Sequence, residues 1–368
     1  MRTSSRQWLP NWSTSSWLSA SGGAVLLPLG RPAPLALRAV DRETWPVNGT
    51  TARALLALGA ASAVAFAGGA AWGRGAQVAA VPPPPAVMPP AAAPAPPSAP
   101  AGDRQAVTLR DTEVRHLRSR VNGVGYTLYV GLPPGYGAPG ERYPVVYLLD
   151  ADYSFALAKN VTDHLAERGD LAELLLVGIA YDPPLRYRLN RTRDYTPSAV
   201  TDLPPGLATQ EPYQRVSGGG PAFRRFLAEE LVPFVDREYA TRPADRTLVG
   251  HSYGALFGAW VLTTTPGLFQ RFLLVSPSLW YDDRFLLRQE ASEAAGGRRL
   301  DARVFLAVGS REGNRRRDMV GDTLELAAAL RAPGRGVAVE ARVLEGETHN
   351  TVFPHALAAG LRHLFDGR

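Results

Sequence analysis

The chain has 368 residues, no cysteine and a formal net charge of +6, and Lys159 is the single lysine among its 40 cationic residues. This length allows one large domain or two ordinary ones. Without cysteine there is no disulfide, zinc–thiolate site, iron–sulfur cluster or cysteine nucleophile. The arginines are interleaved with acidic residues, so we expect no nucleic-acid partner. The sequence has no paired-histidine motif either, and we expect neither a metal nor a cofactor.

The beginning of the chain resembles an export region. Residues 1–50 show no hydrophobic period and are expected to be unstructured, or to precede the true start of translation. Residues 51–76 include the uncharged apolar run 54–73, which as a helix would be about 30 Å long, enough to cross a bilayer. Within this run, the residues 65–67, "AFA", fit a small-x-small cleavage site. We therefore expect a signal peptide or an N-terminal membrane anchor, and a location in the periplasm or cell envelope.

A linker and one domain follow. Residues 77–103 are rich in proline and alanine and predict a semi-rigid spacer. From 104 to 368 the sequence alternates strand and helix patterns. Strands are predicted at 126–133, 143–150 and 174–180, and later in "RTLVGH", "RFLLVSP", "RVFLAVG" and "VAVEARVLEG". Helices are predicted at 221–239 and in "GALFGAWVLTT", "DTLELAAALR" and "HALAAGLRHLF". This alternation indicates a mostly parallel sheet with helices on both faces.

The stretch "RTLVGHSYGALFGAW" joins a predicted strand to a predicted helix through Gly250-His251-Ser252-Tyr253-Gly254. A G-x-S-x-G pattern in this context is typical of the nucleophile elbow of an α/β-hydrolase fold. Small residues let helix and strand approach closely, and the helix N-terminus favours negative charge developing near the serine. Ser252 is therefore the predicted nucleophile.

A serine nucleophile needs a base, and His349 is the predicted one. It follows the last predicted strand and precedes the last helix, where this fold delivers its histidine. The acid should follow the strand "RVFLAVG". Glu312 comes three residues after the end of that strand at Gly309 and is preferred to Asp318, which stands near the next helix. A serine–histidine dyad is the remaining alternative.

The oxyanion hole requires two backbone N–H groups. One is predicted to come from Tyr253, the residue after the nucleophile, and the other from Ala151 or Asp152, after the strand that ends in "YLLD".

Substrate contacts are predicted from position alone. Arg191 and Arg193 belong to an arginine-rich loop on the ligand-bearing side of the sheet and could meet an anionic substrate. Asp152 lies at the same edge, and Trp280 and Tyr281 could line an acyl or aryl pocket. The alternative is that these arginines form a salt-bridged surface loop and that the aromatic residues cover the core.

Taken together, the motifs resemble the enterochelin-esterase and esterase D-like branch of the α/β-hydrolases, which includes periplasmic siderophore trilactone hydrolases. The resemblance spans roughly residues 120–365. It is carried by "YPVVYLLDADYSF", "LVGIAY", "RTRDYTP", "FLAEELVPFVDREY", "LVGHSYGALFGAW", "VSPSLWY", "AVGSREG" and "GETHNTVFP". It implies that Ser252 and His349 are nucleophile and base, with Glu312 where such enzymes carry an acid. Ala151 stands where the family usually has glycine, and Ala255 replaces the second glycine of the elbow.

These observations predict a serine esterase that hydrolyses a carboxylic ester through an acyl-enzyme. A siderophore ester is the specific substrate expected from the resemblance, so the expected partner is a small molecule, and a negatively charged one would suit Arg191 and Arg193. The alternatives are a carbohydrate-linked feruloyl or acetyl ester, a thioester such as S-formylglutathione, and an acyltransferase of the mycolyl type. From a different class, a catalytically inactive binding protein with a hydrolase fold would carry the same elbow without reactivity. The oligomeric state is not indicated.

Overall fold

The computed structural model describes residues 106–183, 187–200, 211–295, 298–314 and 317–366. The segments predicted at 1–50, 51–76 and 77–103 lie outside the described residues. In the part of the chain that the structure describes, no helix combines the length and apolar character needed to cross a membrane.

The described residues form one eight-stranded sheet in the order β1-β2-β4-β3-β5-β6-β7-β8. The strands are β1 (Thr112–Arg118), β2 (Gly125–Gly131), β3 (Tyr143–Leu148), β4 (Leu175–Tyr181), β5 (Thr241–His251), β6 (Arg271–Val275), β7 (Ala302–Gly309) and β8 (Val337–Leu344). Strand β2 pairs antiparallel with β1 and β4, and all later pairings are parallel. The predicted mostly parallel α/β sheet is confirmed.

Helices cover both faces of the sheet. They are α1 (Ala151–Glu167), α2 (Tyr187–Tyr195), α3 (Glu211–Gln214), α4 (Gly220–Phe226), α5 (Val232–Glu238), α6 (Tyr253–Thr264), α7 (Tyr281–Ala295), α8 (Met319–Leu330) and α9 (Val352–Phe365). A π-helical turn, Leu227–Leu231, joins α4 to α5, so this stretch covers the helix predicted at 221–239.

Alternate side chains of each central strand enter different cores, as the two-residue period of a strand requires. Val145 and Tyr147 of β3 join the core under α4, α5 and α6. Val146 and Leu148 join the core under α1 and α9. Burial on both faces explains why these strands are continuous apolar runs in the sequence.

One predicted element is wrong. The arginine-rich stretch after β4, expected as a loop, forms helix α2 instead. Its sequence, "YRLNRTRDY", has no apolar period that would reveal a helix. Contacts with distant residues hold it in place, among them the pairing of Arg191 with Asp150. Tertiary contacts supply most helix stability in proteins, so this helix is not visible from local pattern.

Candidate active site

Ser252 lies on a strained turn between the end of β5 and the start of α6. Its backbone has φ 60° and ψ −117°, a conformation that costs energy for any residue except glycine. The Ser252 N–H donates to the carbonyl of Val275 at 2.9 Å. A Cβ added at Gly250 would lie 2.5 Å from the backbone of Gly254, so the turn closes only with glycine there. This is the geometry of the predicted elbow.

His349 and Glu312 meet beyond the carboxyl ends of β7 and β8. His349 Nδ1 lies 2.6 Å from Glu312 Oε2. The Glu312 side chain is 1% exposed and that of His349 is 40% exposed. Asp318, the alternative acid, caps α8 instead and accepts a hydrogen bond from the Gly321 N–H at 2.8 Å. The structure thus places Glu312, not Asp318, against the histidine.

The other oxygen of Glu312 is also occupied. Oε1 accepts from the hydroxyl of Ser276 at 2.6 Å and from the N–H of Gly309 at 2.8 Å. Burial alone would raise the pKa of Glu312, but the hydrogen bonds from His349, Ser276 and Gly309 outweigh burial and hold this pKa below its usual value. Glu312 is therefore ionised at neutral pH and can hold the His349 tautomer that carries a proton on Nδ1. Ser276 was not singled out from the sequence.

The predicted nucleophile, Ser252, and the predicted base, His349, line the same cavities without a direct hydrogen bond between them. Ser252 Oγ lies 3.3 Å from Ser278 Oγ, which is its hydrogen-bond partner among the described residues. The Ser278 N–H also donates to the carbonyl of Ser252, at 3.2 Å. Nucleophile–base bonds are often loose without substrate and tighten when it binds.

His251, the variable residue of the elbow, packs against the predicted base. Its ring centroid lies 4.7 Å from that of His349, and its Nδ1 is 3.1 Å from the hydroxyl of Tyr153. Burial, followed by the neighbouring His349, lowers the pKa of His251 to about 4. His251 is thus neutral at pH 7 and adds no positive charge beside the base. The sequence predicted only that it packs locally.

The two residues predicted for the oxyanion hole begin two helices at one edge of the sheet. Tyr253 is the first residue of α6 and Ala151 the first of α1. The first N–H groups of a helix have no acceptor inside the helix, so both can serve an incoming oxygen. Their strands, β5 and β3, are hydrogen-bonded neighbours, and the Leu149 N–H donates to the carbonyl of Val249 at 3.0 Å. Both predicted donors therefore lie at the carboxyl ends of adjacent parallel strands.

A buried ion pair supports this edge. Asp150, with a left-handed backbone at φ 56°, accepts from Arg191 Nε at 2.9 Å and Nη2 at 3.1 Å, and from the hydroxyl of Tyr187 at 2.9 Å. Burial by itself would lower the pKa of Arg191, but Asp150 more than compensates and raises it. Arg191 Nη2 also reaches the carbonyl of His251, at 3.4 Å. The Arg191 guanidinium is therefore used in contacts within the protein. Its pairing with Asp150 and its contact with His251 connect α2 to the elbow. Asp150 was missed because a buried strand-end aspartate has no sequence signature of its own.

Two cavities meet at Ser252, and both also include Tyr253, His349 and Asn350 in their walls. The larger cavity, of about 960 Å³, is also lined by Tyr153, Leu157, Tyr187, Arg188, Arg191, Thr192, Tyr213, Gln214, His251, Phe353 and Pro354. The smaller, of about 500 Å³, is also lined by Ser278, Trp280, Arg311, Glu312, Gly313, Asn314, Arg317, Met319 and Thr348. Within the described ranges, no three His, Cys, Asp or Glu side chains are grouped so that they could hold a metal ion.

The predicted substrate contacts fall in different places. Arg191 lines the larger cavity and Trp280 the smaller one. Arg193 pairs instead with the buried Asp194, with Nε 2.7 Å from Oδ1. Tyr281 is buried, and its hydroxyl donates to the carbonyl of Ser198 at 2.7 Å. Asp152 is exposed at the start of α1 and lines neither cavity.

Comparison with known proteins gives one family match. The model of the family described as "Putative esterase" matches residues 119–364, which include every strand after β1 and the whole site described above.

Two curated proteins and one solved structure are similar to this chain. The ferri-bacillibactin esterase BesA of Bacillus subtilis is 30% identical over 268 residues, covering 71% of this chain and 92% of that protein. A siderophore enterobactin esterase of Emericella nidulans is 30% identical over 254 residues, covering 62% of this chain and 84% of that protein. An IroE-like serine hydrolase from Shewanella oneidensis superposes with a TM-score of 0.62 at 30% identity, over 69% of this chain and 80% of that one.

Proposed function

We propose a mechanism and a substrate for a chain that belongs to the "Putative esterase" family and is a carboxylic ester hydrolase. The substrate is a siderophore ester of the catecholate type. Two similar proteins are named for esters of bacillibactin and enterobactin, and this chain covers most of the length of each. The nucleophile in our proposal is Ser252.

Each step is assigned to a group in the site. Ser252 Oγ attacks the ester carbonyl while His349 takes its proton, and Glu312 stabilises the imidazolium that forms. The N–H groups of Tyr253 and Ala151 bind the oxyanion. His349 then returns the proton to the leaving alcohol. Water, activated by the same histidine, releases the acid from the acyl-enzyme and regenerates Ser252.

The observation that carries this proposal is the position of the strained Ser252 at the junction of two cavities, next to the His349–Glu312 pair. A substrate with several arms can place one arm in each cavity while its ester lies at the serine. Arg188 lines the larger cavity, where it favours a negatively charged arm.

The test compares the full-length chain with Ser252→Ala. We expect hydrolysis of p-nitrophenyl acetate and labelling by an organophosphonate in the wild type, and a loss of both in the variant. A panel of a catecholate trilactone, a feruloyl sugar and an acetylated sugar then identifies the substrate. A wild type that is inert to every ester and to the phosphonate would contradict the serine mechanism. Transfer of the acyl group to a sugar in place of water would indicate an acyltransferase.

We also propose that the protein is exported to the periplasm or cell envelope. The support is the uncharged run at 54–73, which contains a small-x-small site at 65–67 and precedes a proline-rich spacer. A cell-envelope location suits an enzyme that receives a siderophore from outside the cell.

A further inference from the structure

We propose that Arg317, stacked on Trp280, forms an anion-binding subsite beside the nucleophile, and that this subsite selects esters with a negatively charged oxygen group. The inference rests on the proposed function, because it assigns part of the same site. The inference adds to that function the residue that distinguishes charged from uncharged substrates.

The first observation is the position of the guanidinium. Arg317 Cζ lies 3.6 Å from the centroid of the Trp280 ring, which is the distance of a direct stack. The Trp280 ring lies 6.0 Å from that of Tyr253, the residue after the nucleophile. All three residues line the smaller cavity together with Ser252. A charged group is thus held on an aromatic platform near the reacting atom.

The stack leaves the donors of Arg317 free for a ligand. A guanidinium that lies flat on an indole uses its face for the contact, and its N–H groups remain available in its plane. Among the described residues, no carboxylate forms an ion pair with Arg317. The one carboxylate that lines the same cavity, Glu312, is occupied by His349, Ser276 and Gly309. A negative group of the substrate therefore has no competitor within the cavity.

The backbone keeps Arg317 in place before any substrate binds. Its N–H donates to the carbonyl of Asn314 at 3.1 Å, and its own carbonyl accepts from the Asn314 N–H at 2.8 Å. Asp318, the next residue, begins α8 as its cap. A pre-organised cation loses little freedom on binding, so more of its interaction energy serves selection.

Arg311 is the matched control within the same cavity. It is exposed, and no aromatic ring supports its guanidinium among the described residues. If a general positive potential attracted the substrate, both arginines would contribute alike. If stacking on Trp280 is what makes an arginine select anions, Arg317 alone determines the preference for the anionic ester.

The experiment measures kcat/KM for two pairs of esters with the full-length chain. One pair has the charge in the alcohol part, 4-acetoxybenzoate against its methyl ester. The other has the charge in the acyl part, the p-nitrophenyl monoester of adipate against p-nitrophenyl hexanoate. We expect the wild type to prefer the anionic member of at least one pair. Arg317→Gln should lower that preference about tenfold, which is the scale of one charged hydrogen bond. Arg317→Lys should restore part of it, and Arg311→Gln should change it less than about twofold.

A preference that is absent in the wild type, unchanged in Arg317→Gln, or lowered equally by Arg311→Gln would overturn the inference. Calorimetric binding of benzoylglycine, an aryl amide with one carboxylate, separates this inference from the proposed function. Binding that depends on Arg317 in a protein that hydrolyses no ester would support the subsite and contradict the esterase mechanism. Binding that is equal in wild type and Arg317→Gln would contradict the subsite.

Discussion

The residues in contact with His349 determine whether this predicted base can accept a proton. Glu312 is almost fully buried, and three donors satisfy its carboxylate. Each donor favours the ionised form, so the cost of burying the charge is offset. Ser276, with a positive φ of 48°, is strained in the position that lets its hydroxyl reach Glu312. Strain of this kind persists only where surrounding contacts enforce it. Here the strained backbone holds the Ser276 hydroxyl against the Glu312 carboxylate.

The choice between the two candidate acids yields a direct test at this scale. We expect Glu312→Gln to lower kcat for p-nitrophenyl acetate by about 10²-fold or more, because the amide no longer stabilises the imidazolium. Asp318→Asn is the control, since asparagine caps a helix as well as aspartate does, and kcat should be unchanged. Equal losses in both variants, or none in Glu312→Gln, would argue against the assignment and favour a serine–histidine dyad.

The same substitution predicts a pH dependence of stability. Because the pKa of Glu312 is lower in the folded chain than its usual 4.5, its ionised form stabilises the fold above that pH. The contribution is lost as the pH falls through the folded-state pKa. The difference in unfolding free energy between wild type and Glu312→Gln should therefore be greatest near neutrality and shrink below about pH 4. Urea denaturation at several pH values measures it, and a difference that grows on acidification would contradict the lowered pKa.

At the scale of elements, the elbow joins a strand to a helix with almost no space between them. Helix α6 is buried along nearly its whole length and packs on β5 and β6. Gly250 and Gly258 lie where the helix meets the sheet, and an added Cβ at either would meet another atom at 2.5 Å. The close approach thus depends on glycine at both positions. The spacing of small residues in "GHSYGALFGAW" is thus a packing requirement of the elbow.

Gly250→Ala tests that requirement. We expect it to destabilise the fold by about 3 kcal/mol, because the clash is with backbone atoms of Gly254 that cannot move without opening the turn. Gly254→Ala is the matched control. Its Cβ would lie 3.3 Å from a side-chain oxygen of Asp150, and alanine is a better helix former than glycine. The midpoints of urea unfolding measure both changes. A Gly250→Ala variant as stable as Gly254→Ala would show that the turn relaxes more easily than its geometry indicates.

At the scale of the whole molecule, one sheet organises both the core and the site. One edge of the sheet carries the whole predicted site. The Ala151 turn, the elbow, Glu312 and His349 follow the carboxyl ends of β3, β5, β7 and β8. The two cavities open at this one edge. The substrate therefore meets groups that are far apart in the sequence but supported by adjacent strands.

The proposed export makes a prediction about the complete chain. N-terminal sequencing of the native protein should find a first residue close after Ala67, which would leave the spacer and the domain in the mature product. A membrane anchor would instead keep the run 54–73 and partition with membranes. Recovery of the protein in the cytoplasm with a peptide from residues 1–50 would contradict export and the later translation start.

Local patterns along the chain were enough to predict the alternation of strands and helices, the elbow at Ser252, and the order of the predicted nucleophile, acid and base. These features depend on local periodicity, on small residues at fixed spacing and on the order of the elements, all of which can be read along the chain.

The directions of individual side chains, by contrast, follow from contacts between distant parts of the chain. Arg191 and Arg193 stand two residues apart and were both predicted to contact substrate, yet Asp150 holds the first at a cavity wall and Asp194 pairs with the second. Position in the chain favoured Glu312 over Asp318, and contacts in the fold place the first against His349 and the second at a helix end. Helix α2 has no local pattern and depends on Asp150, about 40 residues earlier. These side-chain positions depend on packing between segments that are distant in the sequence, and local sequence patterns do not reveal such contacts.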